Sequence, residues 1–197
     1  MVDVVSDRVV WSRNYFETFL PLREPMITDD VDEDPDRYGA CVESHPDLAR
    51  QRLQRGKKPY DSMSIDGWVY FWVDGKRFFG GGYYDPPFQT WAALLQAVAD
   101  FVRYGDQVMS LAGHPVDFSL QQVKGTDLVR FSFAGKRATV PRGSFLADFA
   151  DECERFLTFV ESATGESFDR EHAEIAVIRG GLAPPGPGPG PGESSAG

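Results

Sequence analysis

Asp30, Asp32 and Asp34 alternate along the chain, and carboxylates at that spacing are what a calcium loop uses. The remainder of such a loop is missing. Pro35 stands where a glycine must make the sharp turn, and Cys41 stands where a bidentate glutamate belongs. The segment 24–38 therefore reads as a solvated acidic loop. Seven acids lie between Glu24 and Asp36, followed by Arg37. Such a loop sets up a strong local negative field, so Asp29, Asp30, Asp32, Glu33, Asp34 and Asp36 form the candidate contact surface for a basic protein partner.

Other reactive residue types lack the company their chemistry needs. Cys41 and His45 have the spacing to share a metal on a helix, but no second pair lies near them, and zinc takes four ligands, or three and an open position. His114 and His172 are far along the chain. A cysteine nucleophile needs a histidine within reach and electropositive surroundings. Cys41 instead follows acids, and Cys153 lies on an apolar helical stripe. No Gly-x-Ser-x-Gly elbow occurs.

Gly80-Gly81-Gly82 before a helix suggests a phosphate loop, since helix N-termini attract anions. Asp85 brings the wrong charge there, and Pro86 and Pro87 remove two N–H donors. The triplet reads instead as a bulge or a close backbone approach. Arg50, Arg52, Arg55, Lys57 and Lys58 form a basic cluster that the acidic loop upstream could neutralise. No catalytic residue, metal ligand or cofactor is assigned.

These residues need elements to hold them. Trp68-Val69-Tyr70-Phe71-Trp72-Val73, then Asp74-Gly75, then Lys76-Arg77-Phe78-Phe79 predict a β-hairpin. Both faces of its first strand are apolar, which places that strand inside a sheet. Asp85 is expected to cap a helix carrying Phe88, Trp91, Leu94, Leu95, Val98, Phe101 and Val102, stopped by Gly105. Strands follow at 114–123, 128–133 and 136–141. Ser144 is then expected to cap a long helix whose apolar face is Phe145, Leu146, Phe149, Cys153, Phe156, Leu157 and Val160. A strand or short helix is expected within 1–22, and short helices at 45–56 and 166–179, the last capped by Ser167 or Asp169.

Residues 68–77 align without gaps on 128–137 at an offset of 60. The two hairpin–helix stretches, a β-β-α unit at 66–105 and a β-β-β-α unit at 114–164, read either as an internal duplication or as convergence, since any hairpin before a helix shares apolar strands and a Gly-Lys turn. The fold class is α+β: an antiparallel sheet with two long amphipathic helices packed on one face. One domain spans 1–180. The Pro/Gly-rich tail 183–197 has no large apolar side chain to offset the entropy of ordering it, so it is expected to be disordered.

The 197-residue chain has 30 acids against 20 lysines and arginines, a formal charge of −10. That balance opposes nucleic acid and anionic membranes and favours basic partners. Two cysteines are too few for a disulfide framework. With neither a signal peptide nor a membrane span in the pattern, a reduced, cytoplasmic setting is the expectation.

The layout of 66–104 and 128–161, with the stretch Thr139-Val140-Pro141-Arg142-Gly143-Ser144-Phe145-Leu146, resembles small α+β immunity proteins encoded beside bacterial polymorphic toxins, and their actinobacterial relatives. The resemblance implies a protein that neutralises a basic toxin by occlusion. It carries no site residues, because such families share none. The alternatives are an enzyme or small-ligand binder whose site is assembled from distant residues, and an accessory subunit tethered by its tail.

Overall fold

Alternating aromatic and β-branched residues build the strands here, and apolar residues at helical spacing build the helices. The computed structural model describes residues 14–22, 31–54, 64–110 and 116–182. In chain order they form β1 (Asn14–Pro21), α1 (Pro35–Tyr38), β2 (Gly39–Cys41), α2 (Pro46–Gln54), β3 (Trp68–Val73) and β4 (Lys76–Arg77). Then come α3 (Pro87–Tyr104), β5 (Gln107–Ser110), β6 (Asp117–Gln122), β7 (Leu128–Phe133), β8 (Lys136–Pro141), α4 (Arg142–Thr164) and α5 (Asp169–Gly180). The tail reading at 183–197 lies outside the described residues, as do Asp29, Asp30, Arg55, Lys57, Lys58 and His114.

The α+β class holds, with two antiparallel four-stranded sheets in place of one. Their orders are β2-β1-β3-β4 and β5-β6-β7-β8. The reason lies in β4. Its pairing ends after two residues and one further bond, from the Phe78 N–H to the Phe71 carbonyl at 2.8 Å, and Phe78 and Phe79 pack against the rings of Phe131 and Phe133, with centroids 4.5 and 4.0 Å apart. The two sheets thus meet through side chains. As expected, β3 lies inside its sheet with both faces covered.

The two units share local features, although the chain order of their outer strands differs. Asp74-Gly75 and Ala134-Gly135 turn their hairpins with positive φ at both positions, the type I′ geometry that matches strand twist. Both sheets place a hairpin beside a third strand and a fourth, β2 or β5, on the outside. Both long helices begin after an extended proline, Pro86 or Pro141, and end at Gly105 or Gly165. The equivalent residues Phe71 and Phe131 touch each other, with ring centroids 4.8 Å apart and perpendicular.

One core joins the inner sheet faces to α3 and α4, which pack on the same side. Phe16 contacts Phe71, Trp91 and Phe149, and Phe131 reaches Phe145. Every residue of the predicted apolar face of α4 is buried. A smaller cluster of Phe19, Val31, Cys41, Trp68 and Tyr70 covers the outer face of the first sheet.

The expected caps are corrected. Asp85 forms a backbone bridge with Gly67, which moves the N-cap of α3 to Pro86. Ser144 lies inside the first turn of α4, donating to the Pro141 carbonyl at 3.1 Å. The N-cap of α5 is Phe168, while Ser167 donates to the Asp169 carboxylate at 2.7 Å.

Candidate interaction face

The acidic loop is pinned by one of its carboxylates. Asp32 accepts the Tyr70 hydroxyl at 3.0 Å and the Gly81 N–H at 2.8 Å through Oδ1, and pairs with Arg77 at 3.0 Å through Oδ2. Arg77 also lies over the rings of Tyr70 and Trp72. Burial and then Asp32 push the Tyr70 phenol up, so it stays a hydrogen-bond donor. The glycines make this approach possible. A Cβ on Gly80 would come within 2.8 Å of Asp32 Oδ1, and one on Gly81 within 2.7 Å of Val31 Cγ1. Gly80 and Gly81 thus serve as the close backbone approach read from the sequence.

Asp32 is therefore occupied within the chain by Arg77. Arg50 pairs with Asp47, and Arg52 donates to the Pro21 carbonyl at 2.7 Å. Glu33, Asp34 and Asp36 are exposed. Among the described residues, no cation lies within ion-pair distance of these three.

A second group of carboxylates gathers where β1, β2 and α4 meet. Glu43 turns back from the end of β2 and accepts the Thr18 N–H at 2.9 Å and the Cys41 thiol at 3.3 Å, both through Oε2. It thereby satisfies a strand donor just beyond the last β1–β2 ladder pair, Phe19 with Cys41. Burial drives its pKa to about 7, and Glu152 on α4 pushes the same way. Nearby, Asp148 accepts Asn14 Nδ2 at 2.7 Å. Burial raises the pKa values of Asp148 and Glu152, and in each case neighbouring acids on α4 add to the shift. Arg155 pairs with Glu152 at 2.7 Å, and Arg179 with Asp151 at 3.0 Å. Among the described residues, neither Glu43 nor Asp148 has a cation within ion-pair distance.

Cross-strand partners share a sheet face. The register places Glu17, Phe19, Cys41, Trp68 and Tyr70 together on the outer face of the first sheet, under Val31 and Tyr38 from the acidic loop. The exposed loop acids thus lie over the face that carries Glu17, and Glu43 links that face to Asp148 and Glu152.

The reactive residues of the sequence are not assembled into a catalytic site. Burial, then Glu43, pushes the Cys41 thiol up to about 12, which makes it a donor and not a nucleophile. His45 is exposed and bonds Ser44 at 3.0 Å. Cys153 is fully buried in the core, and burial pushes its thiol up further still. Both cysteines are free. His172 lies between Glu161 and Glu154 at 3.0 and 3.3 Å. Burial lowers its pKa, but the two carboxylates outweigh that and leave it raised. Among the described residues no three histidines, cysteines or acids are placed to hold a metal, and no helix is long and apolar enough to cross a membrane. A shallow depression of about 150 Å³, between α3 and α5, is lined by Ala92, Leu95, Gln96, Arg170, Glu171 and Glu174.

Glu43, Asp148 and Glu152 were not singled out in the sequence, and no local pattern marks them as a group. Asn14 and Asp148 are 134 residues apart, and Thr18 and Glu43 are 25 apart. The one available signal is the run of acids on α4, Asp148, Asp151, Glu152 and Glu154.

The fold is α+β, and Glu43, Asp148 and Glu152 lie together where β1, β2 and α4 meet. No family model, curated protein or solved structure matches the chain.

Proposed function

We propose that the chain is a binding protein that recognises a basic protein through this carboxylate face. The observation that carries the reading is the grouping of Glu43, Asp148 and Glu152 where β1, β2 and α4 meet, where neither Glu43 nor Asp148 has a cation in ion-pair range among the described residues; the exposed loop acids Glu33, Asp34 and Asp36 add to the local negative charge. Glu43 and Asp148 are held above their ordinary pKa by burial and by other acids. A cationic surface docking there would relieve that cost and give fast, salt-sensitive association. In its narrower form the partner is a toxin such as a nuclease, neutralised by occlusion in the cytoplasm. The −10 formal charge and the layout of the two hairpin–helix units support that form.

The test is affinity capture from lysate of the source cell at about 50 mM salt, with recovered proteins identified and their charge determined. A side-by-side capture uses the triple substitution Asp148→Asn, Asp151→Asn, Glu152→Gln. The expected result is a basic protein held by the native chain and lost from the variant. Equal recovery by both, or recovery of acidic proteins only, contradicts the proposal.

A second reading, an enzyme using Glu43 as general acid or base, is favoured by its pKa of about 7. Its Oε2 is committed to Thr18 and Cys41, which fits a structural carboxyl better. A metabolite that raises the melting temperature of the native protein but not of Glu43→Gln would favour the enzyme.

A further inference from the structure

The last helix is fastened differently from the two long ones. α5 packs against α3 and α4, yet only Ile175 and Ile178 along it are buried. Ionic contacts line the same interface. Arg103 of α3 pairs with Glu174 at 2.6 Å, and Arg179 reaches Asp151 and Glu154 of α4 at 3.0 and 3.5 Å. His172 faces α4 with both ring nitrogens. Nε2 lies 3.0 Å from Glu161 Oε1, and Nδ1 lies 3.3 Å from Glu154 Oε1. Glu161 Oε1 also accepts the Phe168 N–H at 3.1 Å, so one carboxylate holds both the linker and the helix. A neutral imidazole has one N–H and one lone pair. In that form one nitrogen would set its lone pair against a carboxylate oxygen. Only the imidazolium donates to both.

We infer that His172 is a pH-sensitive latch: it fastens the first turns of α5 to α4 when its ring is doubly protonated and loosens them when the ring gives up a proton. The charged groups around the ring set the direction. From α4, Glu154 and Glu161 favour the proton, while Arg179, which shares Glu154, opposes it. From α3, Arg103 is paired with Asp100 and meets α5 at Glu174. On α5 itself, Asp169 accepts the Ser167 hydroxyl, and Glu171 precedes the ring in sequence. The carboxylates outweigh burial and leave the ring's pKa raised. The latch is therefore fully closed below the ordinary histidine value and is released as pH rises through the raised one. The far end of α5 is held differently, by Arg142 donating to the Gly181 carbonyl at 2.7 Å, a bond that does not titrate in this range. Loosening thus begins at the linker 165–168, where Gly165 has φ 76°. It separates Phe168 from Phe88 of α3, whose rings are 4.7 Å apart, and so uncovers aromatic surface. The latch does not depend on what binds the carboxylate face.

The experiment follows the full chain by nuclear magnetic resonance. It records the ring resonances of His172 and the hydrogen-exchange protection factors of α5 and β7 amides, between about pH 6 and about pH 8.5. The ring should titrate above the ordinary histidine value. Protection over residues 169–175 should fall about threefold across that range, the scale of a partly exposed ion pair. In His172→Gln protection should be low at both ends of the range, without the fall. Arg179→Gln should lower it throughout and keep the fall. Retained protection in β7 shows that each variant is folded, and the ring titration tests the latch with no substitution at all. A ring titrating at or below the ordinary value, an equal fall in His172→Gln, or α5 amides that exchange only together with those of β7 would overturn the latch.

Discussion

Glu43 shows how one side chain couples packing to pH. Its carboxyl has a folded-state pKa of about 7, above the ordinary glutamate value. The folded chain therefore binds more protons than the unfolded chain between those two values. Stability is greatest below the ordinary value and falls as pH rises through about 7, by roughly 3 kcal/mol from this group alone. Asp148 and Glu152 are shifted in the same direction. Urea unfolding should thus show a lower midpoint at about pH 8 than at about pH 5. Glu43→Gln should keep the bond from the Thr18 N–H, raise stability at about pH 8 by about 2 kcal/mol, and flatten the profile. A native profile that rises over that range would refute this account of Glu43. A second buried polar contact is equally specific. The Trp91 indole N–H donates to Thr18 Oγ1 at 3.0 Å, deep in the core. Thr18→Val keeps the shape and strands the donor, which should cost about 1–3 kcal/mol in the same assay. These contacts could not be read from the sequence, because both depend on which distant strand and helix meet β1.

At the level of elements, the sequence was most informative where local chemistry dictates geometry. Asp74-Gly75 and Ala134-Gly135 specify tight turns, and the stripes of α3 and α4 specify buried faces. Ala at Gly135, where φ is 77°, should cost about 1–2 kcal/mol. Ala at Gly143, near the start of α4 with open space around its Cβ position, should be neutral or add a few tenths of a kcal/mol. A pair of thermal melts distinguishes them. The short strands β2 and β5 were not legible. They have three and four residues, and β5 carries only Val108 and Met109 as apolar residues, too little pattern to mark a strand. The starts of the two long helices were misplaced for two reasons. Asp85 is used by a bridge to Gly67 that exists only in the folded chain, and proline at the cap of both long helices presets φ without a side-chain bond.

For the molecule as a whole, composition and repeat pattern set the class, while the division into two sheets depended on β4 ending after two residues. The acidic loop was read correctly as exposed at Glu33, Asp34 and Asp36. Its anchoring through Asp32 was not legible, since Tyr70, Arg77 and Gly81 lie 38 or more residues away. That anchor fixes the loop over the first sheet. Asp32→Ala should destabilise the fold by about 2 kcal/mol and weaken partner binding, whereas Asp34→Asn should affect binding alone. The charge reading, too, gains a location. The candidate location is the junction of β1, β2 and α4, where Glu43, Asp148 and Glu152 lie.

The most direct measurement is the affinity of the captured partner as a function of salt. Dissociation constants from about 50 to about 300 mM salt should rise steeply for the native chain. They should rise far less for the variant carrying Asp148→Asn, Asp151→Asn and Glu152→Gln. An affinity that does not change with salt, or that is unaffected by removing those three charges, would contradict recognition by this face.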